Sequence, residues 1–190
     1  MVRFATTLLA AGLFASRAIA RTVCPPWQID NFELAEVQQN NYGYKASDDG
    51  TMTNLTSHIG SISFVPHSGS TFTEEIPCTN AITLEYDYLS YTIKGPARAG
   101  SVTIELQTRH NCFKPLKPMR STQVIDMHFD GELIERQIPF KIFEDQGANL
   151  RSITGIKWLN FQDDQGETFE WSLANIRFLC DDNIPPTQGR

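Results

Sequence analysis

The stretch SVTIELQTR, residues 101–109, alternates without a break. Val102, Ile104 and Leu106 form one row, and Thr103, Glu105, Gln107 and Arg109 form the other, because successive side chains of a strand point to opposite faces. A carboxylate, an amide and a guanidinium in one row can exchange paired hydrogen bonds with vicinal hydroxyls, which is what a sugar offers. An aromatic ring beside them would add a stacking surface. Tyr91, in AITLEYDYLSYTI (81–93), supplies that ring if 81–93 and 101–109 form a hairpin across KGPARAG. A symmetric turn there sets Glu85 opposite Arg109, Asp87 opposite Gln107, Leu89 opposite Glu105 and Tyr91 opposite Thr103.

A second group lies in TQVIDMHF (122–129) and ELIERQIPFKIF (132–143), which flank Asp130-Gly131, a two-residue hairpin signal. That hairpin sets Asp126 opposite Glu135 and His128 opposite Leu133. Facing carboxylates need a cation, a base, a shared proton or full solvation. His128 alternates with Asp126 and Asp130, a neighbourhood in which an imidazole can act as a base. The candidate ligand-binding residues are therefore Tyr91, Glu105, Gln107, Arg109, Asp126 and His128, with no catalytic residue assigned. On this reading Tyr91→Ala or Arg109→Ala abolishes glycan binding and leaves thermal unfolding nearly unchanged. Tyr42 and Tyr44, in the polar stretch 40–58, form a further candidate surface on a loop.

Strands must position these groups, since no stretch keeps apolar residues at helical spacing for three turns. Strand-like runs recur at 27–34, 61–66, 81–93, 101–109, 122–129, 132–143, 153–161 and 168–179, separated by turn residues. About eight such runs predict an all-β chain, a single antiparallel β-sandwich of jelly-roll type.

The first twenty residues read as a secretory leader. Arg3 is followed by a short apolar run, and AIA at 18–20 has the small residues a signal peptidase selects. The expected organisation is a signal peptide at 1–20, the sandwich at 21–180 and a polar tail at 181–190. No run is long enough to span a bilayer, so no membrane insertion is expected. The four cysteines of such a secreted chain read as two disulfides. Cys24 precedes the first strand and Cys180 ends the last. Cys78 precedes one arm of the 81–93/101–109 hairpin and Cys112 follows the other. Pairing Cys24–Cys180 and Cys78–Cys112 follows if those strands are neighbours. NLT at 54–56 makes Asn54 a glycosylation site expected on an exposed loop. The net charge of −6, which becomes more negative when Arg3 and Arg17 leave with the leader, argues against nucleic acid as a partner.

The run WQIDNFEL, the central YTIKG…GSVTIEL and the closing IPFKIF…LRSITGIKWLNFQDDQGETFEWSLANIRFL together resemble the galactose-binding-domain-like β-sandwich shared by many secreted carbohydrate-binding modules. The resemblance covers most of residues 24–180. It implies a secreted glycan-binding protein whose partner is extracellular carbohydrate. It also implies a structural calcium near the first and last strands, where Asp30, Glu33, Asp181 and Asp182 are the nearest oxygen donors. Two other readings compete. A small jelly-roll hydrolase or lyase would need two carboxylates across the scissile bond, drawn from Glu85, Asp87, Glu105, Asp126 and Glu135. A secreted protein-interaction factor would need only the size and the disulfides. The chain has no G-x-S-x-G and no G-x-x-x-x-G-K, so no serine-nucleophile elbow or phosphate loop is present and no nucleotide cofactor is implied.

Overall fold

A computed structural model describes residues 24–33, 38–97, 100–113, 120–162 and 169–181. The expected signal peptide, the tail beyond Asp181 and Asp182 itself lie outside the described residues. The elements run β1 (Trp27–Asp30), β2 (Ala46–Asp48), β3 (Thr53–His58), β4 (Ser61–Val65), β5 (Thr71–Thr79), β6 (Tyr88–Lys94), β7 (Ser101–Thr108), β8 (Arg120–Met127), β9 (Ile134–Pro139), α1 (Phe140–Asp145), β10 (Ile153–Gln162) and β11 (Trp171–Leu179).

They form two antiparallel sheets. One has the order β3-β4-β11-β6-β9, with β1 also paired to β11; the other has the order β2-β5-β10-β7-β8. The expected sandwich is therefore present. Between the sheets lie Trp158, Trp171, Tyr91, Phe64, Phe72 and Phe178, all buried. Phe64 stacks parallel on Phe72 across the interior at 6.1 Å, and Tyr91 meets Trp158 edge-on at 5.7 Å. Such offset and edge-to-face pairs add to the burial of the rings themselves.

The expected hairpins do not form. Strand β6 pairs with β11 and β9, whereas β7 pairs with β10 and β8. The connection from β6 to β7 therefore carries the chain from one sheet to the other. A Cβ on Gly95 would lie 2.6 Å from the Phe129 ring and 2.7 Å from Trp171, so this glycine permits close packing at the sandwich end and does not close a hairpin. Asp130-Gly131 also joins different sheets. Phe129 is buried against Trp171 at 5.1 Å and draws the chain across the edge.

Other elements also differ from expectation. Residues 81–85 form a turn, and β2 and β3 lie inside the stretch read as loop. Asn54 sits exposed on edge strand β3, not on a loop. Strand β5 was not expected, because Glu74, Glu75 and Pro77 break its apolar alternation. Pro77 is tolerated there because β2 pairs only with Phe72, Thr73 and Glu74 and stops short of it. The strand expected through 143 ends at Pro139, and a short helix buries Phe140 and Phe143, three residues apart, against the core.

Both disulfides join the pairs suggested by the sequence, Cys24 with Cys180 and Cys78 with Cys112. The first links antiparallel neighbours β1 and β11. The second links β5 to the end of β7; these strands flank β10 in one sheet and are not the arms of a hairpin.

Candidate ligand-binding site

The outer face of the five-stranded sheet is assembled by register. Thr71, Leu159, Thr103 and Ile125 line up across β5, β10, β7 and β8. The next row is Ser47, Thr73, Lys157, Glu105 and Gln123, and the next is Glu75, Gly155, Gln107 and Ser121. Strands lie about 4.8 Å apart, so β5, β10, β7 and β8 together span about 14 Å, enough for a short oligosaccharide.

This face is unusual in its burial. Thr103, Glu105 and Gln107 point away from the core yet are only 7%, 9% and 4% exposed. Their neighbours account for it. Gln107 Nε2 donates to Glu105 Oε1 at 3.2 Å, Ser121 Oγ donates to the same oxygen at 3.0 Å, and Gln123 Nε2 donates to Oε2 at 3.0 Å. Asn160 Nδ2 reaches Thr103 Oγ1 at 3.3 Å. Gly155 makes the packing possible, since a Cβ there would lie 2.8 Å from Gln107 Oε1.

Burial alone would raise the Glu105 pKa. The donors Gln123, Gln107 and Ser121 and the Lys157 charge more than offset it and hold the carboxyl below its usual range. Glu105 is thus a fixed carboxylate that accepts hydrogen bonds, the opposite of a general acid. Around this polar centre lie Leu159, half-buried, with Ile125 and Met127 exposed. The face offers acceptors, an amide, an ammonium and small apolar surfaces, and none of these positions carries an aromatic ring.

Of the six expected ligand residues, the fold brings Glu105 and Gln107 together here. Tyr91 lies in the core, fully buried, on the opposite sheet. Its hydroxyl donates to Asp126 Oδ2 at 2.8 Å. Asp126 stands opposite Val102, on the inward row of β8, and pairs with Arg136 Nε at 3.3 Å. It does not face Glu135, which lies opposite Thr92 and pairs with Arg177 at 2.8 Å. His128 is exposed past the end of β8, and Arg109 follows β7, its backbone N–H donating to Ser152. Lys157, Ser121 and Gln123 were missed. Their signal is the alternation of Gly155, Lys157 and Leu159, and of Ser121, Gln123 and Ile125.

The expected calcium donors do not converge either. Glu33 is exposed and Asp181 lies beside Tyr88. Asp30, buried, instead meets Glu74 of the facing sheet, side chain to side chain. Asn40 Nδ2 donates to Glu74 Oε2 at 3.1 Å, while the buried Glu74 Oε1 meets no other donor and Asp30 is the carboxyl's remaining hydrogen-bond partner. Burial first, then the Asp30 charge, pushes the Glu74 carboxyl well up. The folded state then keeps a proton that the unfolded chain releases above the usual carboxylate range. Stability contributed at low pH is accordingly lost as pH rises towards neutrality. Glu74→Gln is expected to flatten that decline, read as urea midpoints across the acid range in chelator-treated buffer; an unchanged slope would contradict it.

No protein-family model matches the chain, and no curated protein does. Solved structures do resemble it. A family 11 carbohydrate-binding module from Clostridium thermocellum, in complex with a β-1,3-1,4-mixed-linked tetrasaccharide, superposes with a TM-score of 0.52 at 13% identity, covering 82% of this chain and 95% of that one. A family 30 carbohydrate-binding module gives 0.52 at 14% identity, covering 87% and 89%. The fold is a galactose-binding-like β-sandwich. The same architecture is found in part of a Clostridium thermocellum xylanase 10B, its CBM22-1–GH10 modules complexed with xylohexaose, with a TM-score of 0.52, 8% identity and coverage of 82% of this chain and 28% of that one. At such identities the likeness establishes the galactose-binding-like architecture alone.

Proposed function

We propose that this protein is a secreted glycan-binding module that acts on extracellular carbohydrate and recognises its ligand on the outer face of the five-stranded sheet. The observation that carries the reading is the outward yet buried Thr103–Glu105–Gln107 row, with Glu105 anchored by Ser121 and Gln123 and under the Lys157 charge. Fixed donors and acceptors on a rigid sheet bind hydroxyls without first being ordered. The mixed-linkage tetrasaccharide and xylohexaose named for the structural neighbours lend support. Of the carboxylates a glycosidase could draw on, Glu105 is held ionised and so cannot serve as the acid, and Asp126 and Glu135 are each committed to an arginine, which leaves only Glu85 and Asp87. Mature residues 21–190 and a glycan on Asn54 complete the proposal.

The test is retention on insoluble polysaccharides and a glycan array, with product release monitored. Saturable retention without new chain ends is the expected result. Gln123→Ala and Lys157→Ala each should weaken binding about tenfold, and Gln123→Ala should also cost about 1–3 kcal/mol of stability because Glu105 loses a donor, so affinity is read on the folded fraction. Unaltered affinity in both variants would remove the sheet face as the site. New reducing or unsaturated ends would make the protein an enzyme.

The proposal includes a calcium ion held by Asp30 and Glu74, where it would replace the proton that the buried pair otherwise keeps. Calcium prefers hard oxygens, and among the described residues no third acidic, histidine or cysteine side chain completes the set, so carbonyls or water would supply the rest. Calcium is expected to raise the melting temperature at neutral pH in the natural protein and to leave Glu74→Gln unmoved. An unmoved natural protein would remove the ion from the proposal.

A further inference from the structure

One end of the sandwich carries a feature that the sheet face does not use. Where β1 and β6 begin and β9 and β11 end, a cleft of about 550 Å³ opens between the turn before β6, helix α1 and Asp181. Tyr86, Asp87, Tyr88, Phe140 and Asp181 line it. An aromatic strip leads into it. Tyr42, 43% exposed, lies 5.3 Å from Trp27, and Trp27 stacks nearly parallel to Tyr86 at 6.3 Å. Tyr86 is thus both the end of the strip and a wall of the cleft.

The charges in the cleft are one-sided. Asp87 Oδ2 accepts the backbone N–H of Asp181 at 3.0 Å, and the Tyr88 hydroxyl donates to Asp181 Oδ1 at 3.4 Å. Among the described residues neither aspartate has an ion-pair partner. Lys141, the cation on the cleft wall, is held by Glu144 at 3.1 Å and Asp145 at 2.8 Å. Two carboxylates beside tyrosine rings therefore remain for a cation from outside, in a geometry that favours an ammonium through charge-assisted hydrogen bonds and ring faces together.

We propose that this cleft is a second binding site, specific for the end of an oligosaccharide that carries free amino groups, such as a glucosamine chain. The C–H faces of successive sugar rings lie along Tyr42, Trp27 and Tyr86, and a protonated amine is received by Asp87 and Asp181. A lysine side chain would satisfy the carboxylates but leave the ring strip unused, so the sugar is the better fit. The site stands apart from the sheet face, which is built by β5, β10, β7 and β8.

The structure provides its own reporter. Trp158 and Trp171 are buried, whereas Trp27 is half-buried within the strip, so a ligand there shifts Trp27 emission. The full chain is titrated at mildly acidic pH with a glucosamine tetramer and with its N-acetylated counterpart, following tryptophan fluorescence. The expected result is saturable binding of the amine form, at least tenfold tighter than the acetylated one. Asp181→Asn should lose that preference and Trp27→Phe should lose the signal. Gln123→Ala with Lys157→Ala should leave the titration unchanged, even if polysaccharide retention fails. Equal affinity for both tetramers, or an unaltered preference in Asp181→Asn, would overturn the proposal. So would loss of amine binding in the sheet-face variant.

Discussion

Replacing Cys24 and Cys180 together by serine is expected to lower the unfolding free energy by about 5 kcal/mol, the chain-entropy value for a closed loop of this length. The two residues are 156 apart in sequence. The Cys78–Cys112 pair closes a loop of 34 residues and is expected to contribute about 4 kcal/mol. Domains are commonly stable by only 5–15 kcal/mol, so either loss brings the chain close to unfolding at physiological temperature. The first has a local consequence as well. Strand β1 is four residues long and pairs only with β11. Without its staple it frays, releasing Trp27 from Phe178 and Asp30 from Glu74. Urea unfolding of the oxidised protein and the double variant measures the effect. A midpoint unchanged by the substitutions would show that the bond is not formed in the native protein.

Arg136→Ala is expected to cost about 3–5 kcal/mol, because it strands the largely buried Asp126 carboxylate. Arg136 also donates from Nη2 to the carbonyls of Met127 and His128 at 3.0 and 2.9 Å, and lies over the Phe129 ring at 5.4 Å. Tyr91→Ala is expected to cost a similar amount, about 3–5 kcal/mol, by opening a cavity beside Trp158. Tyr91→Phe costs about 1–3 kcal/mol, because Asp126 loses one donor. These groups act as a unit, so the Asp126→Asn, Arg136→Met double variant should recover part of the loss. None of these substitutions reaches the sheet face, so binding by the folded fraction should persist. Loss of binding in Tyr91→Ala with unfolding unchanged would return Tyr91 to the ligand site.

That reversal for Tyr91 shows what the sequence could convey. Period-two alternation revealed the strands and identified Glu105 and Gln107 as sharing a row. It could not say which strand lies beside which. Nearest neighbours in sequence look like hairpins, but in this sandwich most connections cross between sheets, as from β6 to β7 and from β8 to β9. Crossing places the next strand over the core instead of alongside. Tyr91 then belongs to the interior, and Asp126 meets an arginine where a glutamate was expected. Lys157 was hidden for the same reason, since β10 is inserted between β5 and β7 from a distant part of the chain. The cysteine pairs were more legible. Cys24 and Cys180 flank two strands that are true neighbours, and Cys78 and Cys112 came out right although the hairpin that suggested them did not form.

The Cys24–Cys180 bond carries one more implication, a mechanical one. It joins the beginning of the first strand to the end of the last, with their α-carbons 6.1 Å apart. Tension applied to chain outside these two residues passes from one to the other through covalent bonds and bypasses both sheets. The β-sandwich is thereby shielded from stretching along its own backbone. A pull delivered through a ligand on the proposed sheet-face site would instead load its hydrogen-bond ladders sideways, across the strands.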